Sequence, residues 1–257
     1  MAVFVCGLDE TSGKDRRDRF LMGGFVAPEA DWFSAVTPAW QARVLDGPPQ
    51  IPYIHMTDIR SSKWRGQHGL SKRDADMRVD AAIDVIDKVP ALFPIGMSVD
   101  AGVVRDSLSG MRVVHPQGGS APLDPDYVCF MGYSYLALLY VARTFPDAEK
   151  VDFIIERNGR ITKFIQAFHS GLEKSLAALG LPEAAKLVGD LIPAGKERIP
   201  LQAADVLCWH TARSRETMDV LDSRRYGKLA QRRGMKMGLD VHQIKELALS
   251  LVEPNLQ

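Results

Sequence analysis

Apolar runs alternate along this chain with segments that repeat at helical spacing. Ala2-Val3-Phe4-Val5-Cys6-Gly7-Leu8 is almost wholly apolar, runs into Asp9-Glu10 and is closed by Thr11-Ser12-Gly13. Such a run predicts a strand buried on both faces. The charged stretch from Lys14 to Arg19 reads as a hairpin loop, and Phe20 to Ala27 as the second strand, stopped by Pro28. Its Gly23-Gly24 step suggests a bulge or a close backbone approach. Pro28 to Leu45 predicts a short helix with Trp32, Phe33, Val36 and Trp40 on one face. The segment Ile54 to Ile59 is a short motif between loops, and Arg60 to Arg73 reads as a basic loop.

Val79, Ile83, Ile86 and Val89 recur at helical spacing, which predicts an amphipathic helix over Asp76 to Val89. Ile95 to Asp100 is a candidate strand, and Val114 to Asp126, rich in Pro and Gly, is a loop. Tyr127 to Arg143 is apolar nearly all round, which predicts a buried helix with Tyr133, Tyr135 and Tyr140 in the core. Val151 to Ile155 is a strand that ends on Glu156, followed by the turn Arg157 to Arg160. A long amphipathic helix then carries Ile161, Phe164, Ile165, Phe168, Leu172, Leu176 and Leu179, and Gly180 and Pro182 close it. Lys186 to Ile192 is a further candidate strand, and Pro200 begins a helix that runs to about Arg213. The rest of the chain reads as basic and helical. Strands alternating with helices point to an α/β domain. The short connection between the first two strands makes them antiparallel, so the sheet is expected to be mixed.

Composition narrows the function classes. The 257 residues carry 25% charged and 46% apolar positions at a formal net charge of +0, an ordinary globular balance. No global field draws such a chain to nucleic acid or membrane, so any anion site must be a local patch. Cys6, Cys129 and Cys208 are scattered with no CxxC pair, which argues against a zinc site or a disulfide frame. The start lacks a basic leader with a cleavage site, and the most apolar stretch is interrupted by Gly132 and Ser134. The expectation is a cytoplasmic protein with no membrane partner; the oligomeric state is not legible.

Three carboxylates carry the candidate chemistry. Asp9 and Glu156 each end an apolar strand, and Asp205 sits in an apolar helix between Ala204 and Val206. Acids are seldom buried unless paired or bound to metal. Hard divalent cations take such oxygen ligands and leave positions open for phosphate oxygens. The plainer alternatives are ion pairs of Asp205 with Arg213 or Lys196, and of Glu156 with Arg157 or Arg160. Asp152 shares strand parity with Glu156 and is its rival as the acid of that strand. His55 reads as a proton shuttle, a phosphate contact or a turn residue, and His210 as a structural histidine.

Four segments together resemble the bacterial and phage family called domain of unknown function 3800. Leu8-Asp9-Glu10-Thr11-Ser12-Gly13 is similar to its opening Asp-Glu-Ser-Gly, with Thr11 as an extra residue. Phe20 to Val26, with its Gly-Gly step, is similar to its second strand, and His55-Met56-Thr57-Asp58 to a short His-containing segment. Pro200-Leu201-Gln202-Ala203-Ala204-Asp205 resembles its closing Leu-Gln-x-Ala-Asp helix. The resemblance implies a ribonuclease H-like α/β fold, a mixed sheet flanked by helices, over residues 1–213. Residues 214–257 would form a basic helical extension packed on the same domain. It further implies that Asp9, Glu156 and Asp205 meet to hold Mg2+ or Mn2+, with Glu10 as a further ligand and His55 as a shuttle. The implied activity is two-metal phosphodiester hydrolysis, that of a nuclease. The alternatives are a non-catalytic nucleic-acid or protein binding module, and hydrolysis of a small phosphorylated metabolite.

A nucleic-acid partner, DNA or RNA, requires cations for its phosphates. One candidate patch is Arg60, Lys63 and Arg65, with Trp64 among them to stack on an unpaired base. The other is Arg224, Arg225, Lys228, Arg232 and Arg233, in a stretch that holds no acid. A solvated charged surface is the plain alternative for both.

Overall fold

The computed structural model describes residues 2–12, 19–114, 120–157, 159–214, 219–239 and 242–243. The expected loop over Lys14 to Asp18, much of the 114–126 loop and the end of the chain lie outside the described residues.

The first apolar run is β1 (Ala2–Ser12). It pairs antiparallel with β2 (Phe20–Pro28), which pairs antiparallel with β3 (Phe93–Val99). On its other side β1 pairs in parallel with β6 (Ala148–Glu156), and β6 with β7 (Val188–Ala194). A short two-stranded ribbon, β4 (Arg112–Val114) and β5 (Ser120–Pro122), stands apart within the region read as loop. The eighth strand, β8 (Met235–Leu239), adds in parallel to β3 and completes the order β7-β6-β1-β2-β3-β8. The molecule is therefore α/β with a mixed six-stranded sheet flanked by helices. β8 corrects the expectation that the last part of the chain is all helical. Its residues carry no continuous apolar run; the open edge of β3 gives them their ladder.

Alternation along the strands sends side chains into two cores. Phe4, Cys6 and Leu8 of β1 face the core under helices Pro125–Thr144 and Gly159–Ala178. Val5 faces the other core, shared by helices Lys72–Lys88 and Ile199–Arg213 and by the helical run over 29–45. The first core is pinned at β1 by Tyr133, whose hydroxyl lies 3.0 Å from Cys6 Sγ and 3.3 Å from the Gly7 carbonyl. The amphipathic helix begins earlier than its apolar spacing suggests, because Ser71 and Asp74 form a reciprocal capping box.

The 29–45 run alternates α turns with wide π turns. In a regular α-helix each four-residue step over-rotates by about 40°. The wide turns absorb that drift, so Trp32, Val36, Trp40 and Val44 all stay on the core face. Phe33, expected with them, is instead 79% exposed.

Helix Ile199–Arg213 lies directly on β1 and β2, and glycine makes this possible. A Cβ on Gly7 would stand 2.5 Å from the Pro200 backbone oxygen, and one on Gly24 would collide with the Gly7 carbonyl. The close approach brings the helix's polar residues onto the end of the central strand.

Candidate functional site

β1 and β6 run parallel, so their C-terminal ends open at the same edge of the sheet. Leu8 lies beside Ile155, which sets Asp9 next to Glu156. Asp9 has the parity of Val5 and Gly7, so it faces helix Ile199–Arg213, and Asp205 comes down from that helix. Asp9, Glu156, Asp205, His55 and Lys196 line one small pocket together with Ile54, Leu201 and Gln202. The structure thus brings together the three acids expected from the sequence, although up to 196 positions separate them.

Asp9 and Asp205 lie against each other, and their titrations depend on one another. Burial pushes Asp9 up to about 7; the Glu156 charge adds to this, while the Glu10 backbone N–H and Lys196 oppose it. Burial, then the charge of Asp9, raises Asp205 well above the ordinary carboxylate range. Among the described residues that line the pocket, Lys196 is the lysine that stands with the three acids.

The segment 54–56 is held against this pocket by the same helix. Gln202 Oε1 accepts from the Ile54 N–H at 3.1 Å and from Trp40 Nε1 at 2.9 Å. One turn on, Asp205 Oδ2 accepts from the Met56 N–H. His55, between the two anchors, is therefore fixed in place. Its Nδ1 lies 3.1 Å from Asp58 Oδ2 and 3.3 Å from Lys196 Nζ, and its Nε2 lies 3.9 Å from Asp205 Oδ1. Burial, then the Lys196 charge, lowers the His55 pKa, so the imidazole is neutral at pH 7. Burial works against ionised Asp58, but His55 and Lys196 outweigh it and hold that carboxyl below its ordinary range. Lys196 and Gln202 escaped the sequence reading as site residues. Lys196 follows a strand in a loop, and nothing local shows that the loop folds over Asp9. The Leu-Gln-x-Ala-Asp spacing did contain a signal for Gln202, since positions three apart share one helix face.

Other expected residues are placed differently. Glu10, one residue past Asp9, has the opposite parity and lines a separate cleft with Met22, Ile155 and Ile165, whose shared rim includes Asp9 and Glu156. Asp152 sits back along β6, where its carboxylate accepts from the Asp190 N–H at 2.8 Å and pairs with Lys150 at 3.0 Å. It does not line the acid pocket. His210 is fully buried, with Nδ1 2.8 Å from the Val206 carbonyl, and is structural.

The basic patches need correction. Segment 60–73 is not an open loop: it holds the end of the short helix Met56–Arg60, the helix Ser62–Gln67 and the start of helix Lys72–Lys88, and Trp64 is buried against Tyr53 and His68. The Trp64 ring is therefore not presented to stack on a base. Arg60 pairs with Asp76 at 3.0 Å and Asp222 at 2.8 Å, and Arg65 donates to the Ile59 and Arg60 carbonyls. Arg225 is 1% exposed and bonds Asp76, Asp80 and Asp222. Arg232 donates to the carbonyls of Ile86, Asp87, Val89 and Leu92, closing the end of helix Lys72–Lys88. Lys228 pairs with Asp84 at 2.8 Å, and Arg224 lies 3.9 Å from Asp80. Lys63 and Arg233 are exposed. Most of the basic residues read as a nucleic-acid surface therefore serve the fold.

Among the described residues, no group of three or more His, Cys, Asp or Glu side chains is arranged to hold a metal ion. No described helix is long and apolar enough to cross a membrane. No family model, curated protein or solved structure matches the chain.

Proposed function

We propose that the protein is a divalent-metal-dependent phosphodiesterase, a nuclease built on a ribonuclease H-like sheet. One observation carries the reading: three acids from β1, β6 and helix Ile199–Arg213 meet in one pocket, and burial raises the pKa of two of them, Asp9 and Asp205. The strand order supports the fold assignment. Three successive antiparallel strands are followed by two parallel ones on the far side of the first.

The donor set fits Mg2+ or Mn2+, both hard cations that favour carboxylate oxygens. Asp9, Glu156 and Asp205 would hold the metal, whose charge would offset the burial that disfavours ionised Asp9 and Asp205. When bound, a pair of such ions activates a water and stabilises the leaving oxygen of a phosphodiester. The chain's own groups then have separable tasks. The Met56 N–H orients Asp205, and Gln202 fixes the 54–56 segment. Lys196 supplies a positive charge for a phosphate oxygen at the pocket rim. Asp58 holds Nδ1 of His55, which leaves Nε2 directed toward the acids as a proton carrier.

Asp205→Asn keeps an oxygen for the Met56 N–H and removes the charge. Metal-dependent cleavage of single- and double-stranded DNA and RNA should fall by more than about 100-fold, the upper range for residues that merely support a metal ligand. Thermal unfolding followed by circular dichroism should still show a folded protein. Unchanged cleavage rejects the assignment. A non-catalytic binding module is the second reading, favoured by the absence, among the described residues, of a ready-made metal group. Calorimetric titration with Mn2+ separates the two: the module shows no site that is lost on Asp9→Asn.

A further inference from the structure

A cleft of about 320 Å³ opens on the same face of the sheet, one strand beyond the acid pocket. Its floor is β2, β3 and β8, and its walls come from helices Ile199–Arg213 and Val220–Ala230. Glycines keep it open. Gly23 lies opposite Gly96 across β2 and β3, and Gly238 lies opposite Ser98 across β3 and β8. A Cβ on Gly96 would meet nothing within 4 Å. Nor does Gly96 have a left-handed backbone, so no turn requires glycine there. What the glycine preserves is empty space between a sheet and its covering helix, where packed domains place side chains.

The chemistry of the lining is one-sided. Arg19 and Lys236 lie at the cleft and no acid lines it among the described residues, in a chain whose charges otherwise balance. The Tyr226 ring stands on the wall with Lys236 Nζ 5.8 Å from its centroid, and Ser98, Thr211 and Ser214 add hydroxyls. Most of the remainder is aliphatic. Such a surface suits a ligand with a flat, weakly polar body and a negative group. The volume is at the low end of small-ligand sites, which span roughly 300–1,000 Å³.

The cleft neighbours the acid pocket. Gly23 on its floor pairs with Asp9, and Cys208 on its wall has Sγ 3.3 Å from the Asp9 carbonyl. Adjacent strands lie about 4.8 Å apart, so the cleft begins one strand spacing from the candidate metal ligand. We propose that it is a subsite for one nucleotide unit, with the base against the aliphatic wall and Tyr226, and the phosphate toward Arg19 and Lys236. The inference rests on the phosphodiesterase reading and gives it a place for the residue next to the cleaved bond.

Two variants test it. Gly96→Leu fills the cleft from its floor, and Lys236→Gln removes a cation at its rim. Binding of a nucleoside monophosphate and of a single-stranded hexanucleotide is measured by calorimetry with EDTA present, so that no metal chemistry contributes. Each variant should weaken binding by about tenfold, the loss of one good contact. Thermal unfolding checks that Gly96→Leu folds; Lys236→Gln, at an exposed position, keeps the test open if it does not. Loss for both probes supports the subsite on a strand, and loss for the monophosphate alone supports it as a site for a free nucleotide. No binding by the wild type, or equal binding by the wild type and Lys236→Gln, overturns it. If Lys236→Gln binds normally while Asp205→Asn abolishes cleavage, the subsite falls and the phosphodiesterase reading stands. Weakened binding in a protein without metal-dependent cleavage has the reverse meaning.

Discussion

The acid pocket gathers three carboxylates from three elements and the cluster around Arg225 three from two, but they are neutralised in different ways. In the second cluster Asp76 and Asp80 come from helix Lys72–Lys88 and Asp222 from helix Val220–Ala230. Two guanidinium groups sit among them: Arg225 Nε is 2.8 Å from Asp80, and Arg60 bridges Asp76 and Asp222 at 3.0 and 2.8 Å. Planar forks satisfy several oxygens at once, so the set closes on itself. In the acid pocket no guanidinium lines the space among the described residues, and Lys196 is shared with Asp58 and His55. Both places gather carboxylates. In the reading proposed above, the difference in their cations separates a structural brace from a site for a metal ion.

The largest effect should come from breaking the balanced cluster. Arg225→Met leaves Asp76, Asp80 and Asp222 with Arg60 and the peripheral Arg224 as their remaining arginines, and leaves charge buried without its partner. Loss of one member of a buried ionic set typically costs about 3–5 kcal/mol. Urea unfolding at pH 7 should show a loss of unfolding free energy of that size. A change under about 1 kcal/mol, within the range of exposed pairs, would mean that water reaches the cluster and the contrast drawn here is false.

How far this contrast was legible in the sequence follows from the kind of information each cluster uses. Asp9 and Glu156 were readable because each ends an apolar strand, and Asp205 because its neighbours are apolar. These are local patterns. The brace was not readable, because Arg225 and Arg232 sit in a stretch, 224–236, of six basic residues and no acid. Apart from Asp222, three positions before Arg225, their partners lie about 140–150 positions earlier, on helix Lys72–Lys88 and just beyond its end. Trp64 misled for the same reason: a basic neighbourhood hid a buried ring. β8 was missed because Met235-Lys236-Met237-Gly238-Leu239 owes its strand form to β3 rather than to its own pattern. Phe33 was misplaced because wide turns changed the helical period beneath it. Lys196 becomes part of the pocket only through tertiary closure.

The unbalanced pocket should respond with the opposite sign. Asp9 is raised from 3.8 to about 7, so it resists ionisation in the folded state. Below the unfolded pKa of about 3.9 it costs nothing; the penalty grows as pH rises and is complete above about 7. The full shift corresponds to roughly 4 kcal/mol. Because Asp9 and Asp205 titrate as a coupled pair, relief of either recovers only part of it. Metal-free Asp9→Asn should therefore be more stable than the wild type at pH 8, and the gain should vanish near pH 4. Denaturant melts at pH 4, 6 and 8 give the profile. A variant less stable than the wild type at pH 8 would mean that the acids are already compensated, and would remove the argument for an external cation.

The smallest effect tests the edge of the comparison, where a basic residue is neither buried nor at the pocket. Lys228 Nζ lies 2.8 Å from Asp84, with side-chain exposures of 44% and 36%. Exposed pairs of this kind contribute about 0.2–1 kcal/mol, and salt weakens them further. Lys228→Gln should lower stability by no more than that, with the difference shrinking between low and high salt. Its single-stranded oligonucleotide affinity should equal the wild type's, because the ammonium already serves Asp84 and lies outside both the acid pocket and the glycine-floored cleft. The alternative has a distinct signature. A residue that touches phosphate weakens binding across all sequences, and its loss reduces the salt slope by about one. That result would return Lys228 to a nucleic-acid surface and show that the basic stretch braces the fold and holds a strand at once.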